Sequence, residues 1–392
     1  MTDWPDGWYR DEPGQRGGFQ PAGGRDGAPT VGGAGRRNAQ GWPEQPPSRE
    51  APRRGRPDLP YRAPAGRRWR FWGQPGRRGR RIALILFTVV VLIIVAAVGS
   101  YFWLDSKLNR SVALPATTAQ AAGENWLIVG SDTRQGLTRQ QIDNLHLGFD
   151  LGTTNSDSLM LLHMGTGTPV LISIPRDSYV PIPGHGENKI NAALGIGGPT
   201  LLIQTVESVT GLPIGHYMGI GFGGLVSVVN QVGGVNMCLP SPLHDANSGV
   251  NLKAGCQTLN GAQALAFVRD RHSFADEDLQ RIQDQRAFLK ALLDKATSPG
   301  VYLNPFTALP FGSSAASAIS VDQGTHLYNL VEAALALRSP QTGTVPIADA
   351  NYPTANAGDA VLWNRSEATT LFNDLKNGQA VPASLLNGTK VG

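Results

Sequence analysis

The chain has 392 residues and a formal net charge of +4 at pH 7, enough length for one large domain or two ordinary ones. The charge is split: residues 1–81 hold 17 Arg, no Lys and 8 acidic residues, which leaves the other 311 residues at a net −5. A mildly acidic body excludes a general nucleic-acid binder, which needs a broad basic face.

Residues 1–81 are dense in Gly, Pro and Arg and poor in aliphatic side chains. Such a segment cannot bury enough apolar surface to offset its ordering entropy, so a disordered arm is expected. Ile82–Leu104 is a run of 23 residues without a charge; at ~1.5 Å per residue it is long enough to cross a bilayer as one helix. It starts too far into the chain, and is too long, for an ordinary secretory signal. Seven arginines at positions 67–81 precede it and only Lys107 and Arg110 follow closely. That bias predicts a cytoplasmic N-terminus and an extracytoplasmic body in a single-pass cell-membrane protein. Cys238 and Cys256 both fall in the outer part, where a disulfide between them can persist.

Residues 105–122 read as a linker, residues 123–378 as one domain, and 379–392 as a tail. Asn125–Gly130, Leu159–Met164 and Pro169–Ile174 have the continuous apolar character of buried strands. Pro199–Thr210 and Leu225–Val232 read as helices, and Val235–Leu239 as a strand between later turns. Asp278–Ala296 carries leucines and Ile282 at helical spacing. Ala360–Trp363 reads as a strand, followed by a helix capped by Ser366 and stopped at Gly378. The alternation predicts a layered α/β/α domain around a central mixed sheet.

P-loop, HExxH, GxSxG and CxxC signatures are absent. Gly219-Ile-Gly221-Phe-Gly223-Gly224 fits GxGxxG, but the strand after it ends at Cys238-Leu239-Pro240, with no acidic residue for a ribose. Those glycines are expected to serve turns and close packing. Asp132 follows one buried strand and Asp157 precedes another, so the two carboxylates can meet at the mouth of a sheet and hold Mg²⁺ with phosphate oxygens. Arg176, Lys189, Arg269, Arg271 and Arg281 are cations in an otherwise acidic domain, suited to phosphate oxygens. In extended chain Arg269 and Arg271 would project to one side; on a helix, positions 278, 281 and 285 share a face. Surface ion pairing with Asp177, Asp270 and Asp278 is the alternative use of these cations.

Taken in order, the membrane run, GSDTR (130–134), NSDSL (155–159), IPRD (174–177), KINA (189–192), GGV (233–235), LNGAQAL-x-FVRDR (259–271) and the DL-x-R start (278–281) resemble the LytR–CpsA–Psr family of cell-wall ligases. The resemblance covers roughly residues 115–378. It implies a Mg²⁺-dependent phosphotransferase, with Mn²⁺ as a substitute ion, that moves a glycopolymer phosphate from a polyprenyl-pyrophosphate carrier onto a peptidoglycan hydroxyl. It further implies Asp132 and Asp157 as metal ligands, and Arg176, Lys189, Arg269, Arg271 and Arg281 as the pyrophosphate grip. Arg176 and Asp278 would be the catalytic residues, Asp278 orienting Arg281 or assisting the acceptor hydroxyl. Asp284 stands where many relatives carry a second Arg. A pyrophosphatase using water at the same site, and a non-catalytic membrane sensor of lipid pyrophosphates, are the rival readings. The polymer itself (arabinogalactan, teichoic acid or capsule) is not written in these residues.

Overall fold

The computed structural model describes residues 77–386, except 118, 135–136, 149–154, 246–247, 271–276 and 303, and describes the backbone alone at 277–283, 302 and 305. The expected arm therefore lies outside the described residues up to 76, and its last five residues are helical. The chain begins with α1 (Arg77–Asp105), β1 (Asn109–Val112), β2 (Glu124–Ser131), α2 (Arg139–Asn144), β3 (Ser156–Met164), β4 (Val170–Ile174), β5 (Tyr179–Ile182) and β6 (Gly186–Lys189). There follow α3 (Ala192–Thr210), β7 (His216–Ile220), α4 (Phe222–Gln231), β8 (Val235–Leu239), β9 (Leu243–Asp245), β10 (Val250–Leu252), β11 (Gly255–Leu259) and α5 (Gly261–Arg269). The last part holds α6 (Glu277–Ala296), α7 (Pro299–Tyr302), α8 (Pro305–Ala318), β12 (Ile319–Asp322), α9 (Leu327–Ala336), β13 (Gln341–Thr344), β14 (Ile347–Thr354), β15 (Gly358–Trp363), α10 (Arg365–Lys376) and α11 (Ala383–Leu386).

Among the described residues, α1 is the one helix long and apolar enough to cross a membrane; none of its hydrophobic window is buried. Its last residue is built into the domain. One Asp105 carboxylate oxygen accepts the Leu327 N–H at the start of α9 (2.8 Å), and the other meets the Arg110 guanidinium at 2.7 Å. Arg110 in turn donates from Nε to the Thr325 carbonyl at 2.9 Å.

A seven-stranded mixed sheet in the order β1-β12-β7-β2-β3-β4-β13 forms the centre, confirming the α/β class. The expected linker 105–122 contains one of its strands, since β1 pairs in parallel with β12. The alternating faces of the strands bury different partners. Trp126, Ile128, Met160, Leu162 and Leu171 point to one side and pack with Leu289 and Leu293 of α6 and Leu330 and Ala333 of α9. The opposite face, at Tyr217 and Gly219, borders α3, α4 and α8. The α3 helix starts at Ala192, seven residues before Pro199, and is interrupted at Gly197 and Gly198 (φ 68°), where Pro199 opens its second segment.

The GxGxxG segment joins β7 to α4 as a packing device. A Cβ on Gly224 would lie 2.4 Å from the Ala318 carbonyl oxygen, so a side chain there would force α4 and α8 apart. Cys238 and Cys256 are cross-strand partners of β8 and β11 and are joined in a disulfide. The last helix is capped differently from expectation: the Asn364 side chain accepts the Glu367 N–H, so Ser366 lies inside the first turn.

At the end of the sheet where β2 and β7 begin, His216 sits between two carboxylates. Its Nε2 is 2.6 Å from Glu124 and its Nδ1 is 3.3 Å from the fully buried Asp322. Its ring stacks on Trp126 with centroids 4.4 Å apart. Burial disfavours the imidazolium, but the hydrogen bond and charge of Asp322, with those of Glu124, outweigh it and raise the His216 pKa. Asp322 is also disfavoured by burial, yet its bonds from His216, Thr325 and the Tyr217 amide hold it below the ordinary value. A raised His pKa stabilises the fold below the unfolded value, about 6.5, and that stability is lost as pH rises through the folded value; a lowered Asp pKa stabilises above about 3.9 and is lost as pH falls through its folded value. The thermal midpoint should therefore be highest between those limits and fall above pH 6.5. Melting curves of His216→Gln should lack that alkaline fall; an unchanged slope would refute the assignment.

Candidate active site

The strand directions gather the site. The ends of β2, β4 and β7 and the start of β3 lie at one edge of the sheet, because β7 runs parallel to β2 while β3 is antiparallel to both β2 and β4. Ligand sites of α/β sheets form at such strand ends. Gly130, paired with Ser158, has no room for a side chain: a Cβ would lie 2.4 Å from the Ser158 hydroxyl oxygen. Just beyond this pair the Asp132 N–H donates to the Asn155 carbonyl (3.1 Å), and the Asn155 N–H donates back to Asp132 Oδ1 (2.7 Å). This clasp sets Asp132 close enough to Asp157 for their charges to interact. Burial pushes the Asp132 carboxyl up; the Asn155 amide opposes this and the Asp157 charge adds to it.

Arg176 leaves the end of β4 and donates from Nη1 to Asp157 Oδ1 at 2.9 Å and from Nε to Asp177 Oδ2 at 3.2 Å. The other Asp177 oxygen is 3.3 Å from Lys189 Nζ at the end of β6. The Asn191 N–H returns to the Arg176 carbonyl (3.1 Å) and fixes the IPRD turn against the KINA segment. A third element supplies Arg269. Asn260 and Gln263 form a capping box that starts α5, and the helix runs through Arg269, so this segment is helical where an extended chain was expected. The Arg269 guanidinium lies 5.2 Å over the Phe222 ring, a cation–π contact. It also points at the carbonyls of Leu145 and His146 (3.4 and 3.5 Å), and Arg134 donates to that of Leu147 at 2.5 Å. His146, at φ 51°, turns this carbonyl-bearing loop through the left-handed region that non-glycine residues rarely adopt.

These groups share a cavity of about 560 Å³, lined by Asp132, Asp157, Arg176 and Arg269 and also by Arg134, Asp245, Ser248 and Gln285. Four expected site residues therefore converge. Lys189 stands behind them, reaching Arg176 through Asp177. Arg271 and the side chains of Asp278 and Arg281 lie outside the described residues; the backbone of 278 and 281 is in the first turns of α6. Gln285 lines the cavity from the α6 face on which 278, 281 and 285 were expected together. Arg134 closes the GSDTR segment already singled out for Asp132, so its position two residues on was a usable signal. Asp245 and Ser248 belong to no motif. Among the described residues no group of three or more His, Cys, Asp and Glu is placed to hold a metal ion. Of the three carboxylates that line the cavity among the described residues, Asp132 and Asp157 lie together at the strand ends, hard oxygens of the kind that take Mg²⁺ together with phosphate and water.

One residue past Gln285, Arg286 points away from the cavity and donates to Ser173 Oγ (2.9 Å), Thr344 Oγ1 (2.8 Å) and the Gly343 carbonyl. Burial pulls its guanidinium down to about 10, so it stays charged at neutral pH. It ties α6 to β4 and β13. Arg286→Leu strands buried acceptors and should lower stability by about 1–3 kcal/mol in denaturant titration. Binding of inorganic pyrophosphate at saturating folded protein should be retained. Loss of binding without loss of stability would place Arg286 in the site.

The family model described as the LytR_cpsA_psr family matches residues 105–358. A "Probable cell wall biosynthesis protein LcpB" of Corynebacterium glutamicum is 47% identical over 298 residues, covering 75% of this chain and 70% of that protein. A Bacillus subtilis protein named "Polyisoprenyl-teichoic acid--peptidoglycan teichoic acid transferase TagT" is 31% identical over 240 residues, 57% of this chain and 72% of that one. Among solved structures, a LytR-Csp2A-Psr enzyme from Actinomyces oris superposes with a TM-score of 0.54 at 22% identity, over 69% of this chain and 96% of that one.

Proposed function

We propose, because the chain belongs to the LytR_cpsA_psr family, that it is a membrane-held cell-wall transferase. It moves a glycopolymer phosphate from a polyprenyl-pyrophosphate carrier onto a hydroxyl of peptidoglycan. The observation that carries this reading is the convergence of Asp132 and Asp157 with Arg134, Arg176 and Arg269 around one cavity. The relatives' names support the same class: one names cell-wall biosynthesis, and another names transfer of teichoic acid to peptidoglycan. The apolar helix α1 and the disulfide between Cys238 and Cys256 fit an anchored, extracytoplasmic domain.

Transfer breaks the P–O bond between the two phosphorus centres of the carrier and forms one from the glycopolymer phosphorus to the acceptor oxygen. The prenyl phosphate leaves with the bridging oxygen, and the acceptor hydroxyl loses its proton. Such chemistry depends on neutralising phosphate charge and holding the nucleophile in line. Arg176 and Arg269 present planar N–H donors to phosphate oxygens from two sides of the cavity. Asp177 and Lys189 keep Arg176 from rotating away. A Mg²⁺ bound by Asp132 and Asp157, with Mn²⁺ as substitute, would supply further positive charge to the phosphate oxygens. The residues fit that ion: Asp132 is partly buried and faces the Asp157 charge, both of which make its ionisation costly, and a cation shared by the two carboxylates relieves that cost. Arg271, Arg281 and Asp278 are assigned to the grip and to the acceptor side by their motif.

The test is polymer transfer by the full chain in detergent, with a prenyl-pyrophosphate-linked glycan, peptidoglycan strands and Mg²⁺. Asp157→Ala and Arg269→Ala should each lower the rate by about 10²-fold or more, with melting temperatures near wild type, and a chelator should act like Asp157→Ala. Phosphate release without transfer would make the chain a hydrolase. Full transfer by both variants would reject the site.

A further inference from the structure

A second groove, of about 780 Å³, opens on the face of the sheet opposite α6 and α9. Among the described residues none that lines it is charged, whereas three Asp and three Arg line the cavity described above. Nor is it an apolar slot: it is lined by Ser111, Ser131, Ser227, Ser317 and Ser320 and by Gln141. Glycines at 219, 221 and 224 let Tyr217, Thr133 and Ala318 pack closely against them, so part of its wall is bare backbone.

Tyr217 also lines this groove and is only 3% exposed. Its backbone N–H donates to Asp322, but among the described residues its phenol makes no hydrogen bond. The phenol oxygen lies beside Gly219 at the groove wall, where it can donate to a ligand atom.

The groove and the charged cavity share a wall one residue thick. Ser131 and Thr133 line the groove while Asp132 between them lines the cavity; Gly221 lines the groove and Phe222 the cavity. The Phe222 N–H donates to the Thr133 carbonyl at 3.2 Å and closes this rim. A chain lying in the groove and crossing the rim would enter the cavity beside Asp132 and Asp157.

An anionic ligand would find no cation among the described residues that line the groove, and a hydrocarbon chain would bury the groove's hydroxyls without partners, at a cost. A neutral sugar chain bearing hydroxyl and acetamido groups can both donate and accept there. We propose that this groove binds the acceptor glycan and delivers one of its hydroxyls over the Thr133 rim. The inference rests on the transferase reading above, but its test does not require turnover.

The probe is a chitooligosaccharide, followed by ligand-observed NMR and calorimetry against the full chain in detergent. Ser227→Trp with Ser317→Trp, at two exposed lining positions, should fill the groove. Tyr217→Phe removes only the phenol oxygen. The double variant should weaken sugar binding by about tenfold or more, and Tyr217→Phe should weaken it less. Both should still bind a short prenyl pyrophosphate, which reports an intact fold and an intact cavity. Sugar binding should survive Arg269→Ala and resist competition by that pyrophosphate. The proposal falls if the sugar fails to bind, is indifferent to the filled groove, or is lost in Arg269→Ala. It also falls if a prenyl alcohol occupies the groove and displaces the sugar. If the transferase reading alone is wrong, sugar binding keeps this pattern while the wild-type chain transfers no polymer.

Discussion

Antiparallel pairing of β2 with β3 brings Asp132 and Asp157 to one rim of the sheet, and the rest of the site is arranged around the repulsion this creates. Two carboxylates at the edge of a low-dielectric body are costly unless positive charge is close by. The fold answers with arginines from separate elements: Arg176 from the end of β4, Arg269 from the end of α5 and Arg134 from the loop after β2. Because each arrives from a different part of the chain, the charge balance exists only in the folded state.

The arginines are themselves oriented by neighbours that do not reach the cavity centre. Asp177 and Lys189 brace Arg176 from behind, and the carbonyls of 145–147 and the Phe222 ring brace Arg269 and Arg134. Holding a long side chain in one rotamer costs entropy; here that cost falls on folding rather than on ligand binding. The strained backbone at His146 belongs to the same economy, since its turn is what aims those carbonyls.

Much of this was legible in the residues, for identifiable reasons. Asp132 and Asp157 each adjoin a continuous apolar run, so their place at strand ends followed from the strands. The helix α6 itself followed from helical spacing, and Gln285 on its expected face lines the cavity. What escaped was decided by distant contacts. The edge strands β1 (NRSV) and β13 (QTGT) are too short and polar to announce themselves, and pairing with β12 and β4 makes them strands. Ala264–Val268 is a short apolar run that fits strand or helix equally, and the Asn260–Gln263 capping box settles it as helix. Asp245 and Ser248 reach the cavity from a small hairpin that carries no motif. The expected linker hid β1 because small polar residues look alike in a tether and in an edge strand.

Asp105 gives the domain its posture. It is the last residue of α1 and also caps α9, and β1 enters the sheet four residues later. These contacts, with Arg110 bonded to both Asp105 and the Thr325 carbonyl, tie the end of α1 to α9 and to the sheet. On the proposed reading, with α1 seated in a bilayer, the rim that carries Asp132 and Asp157 would ride at a constant height and sweep a plane parallel to the lipid surface as the protein diffuses. An encounter with the proposed lipid carrier would then be a two-dimensional search at fixed altitude, and reach toward the wall would be set by the dimensions of the domain rather than by the slack of a tether.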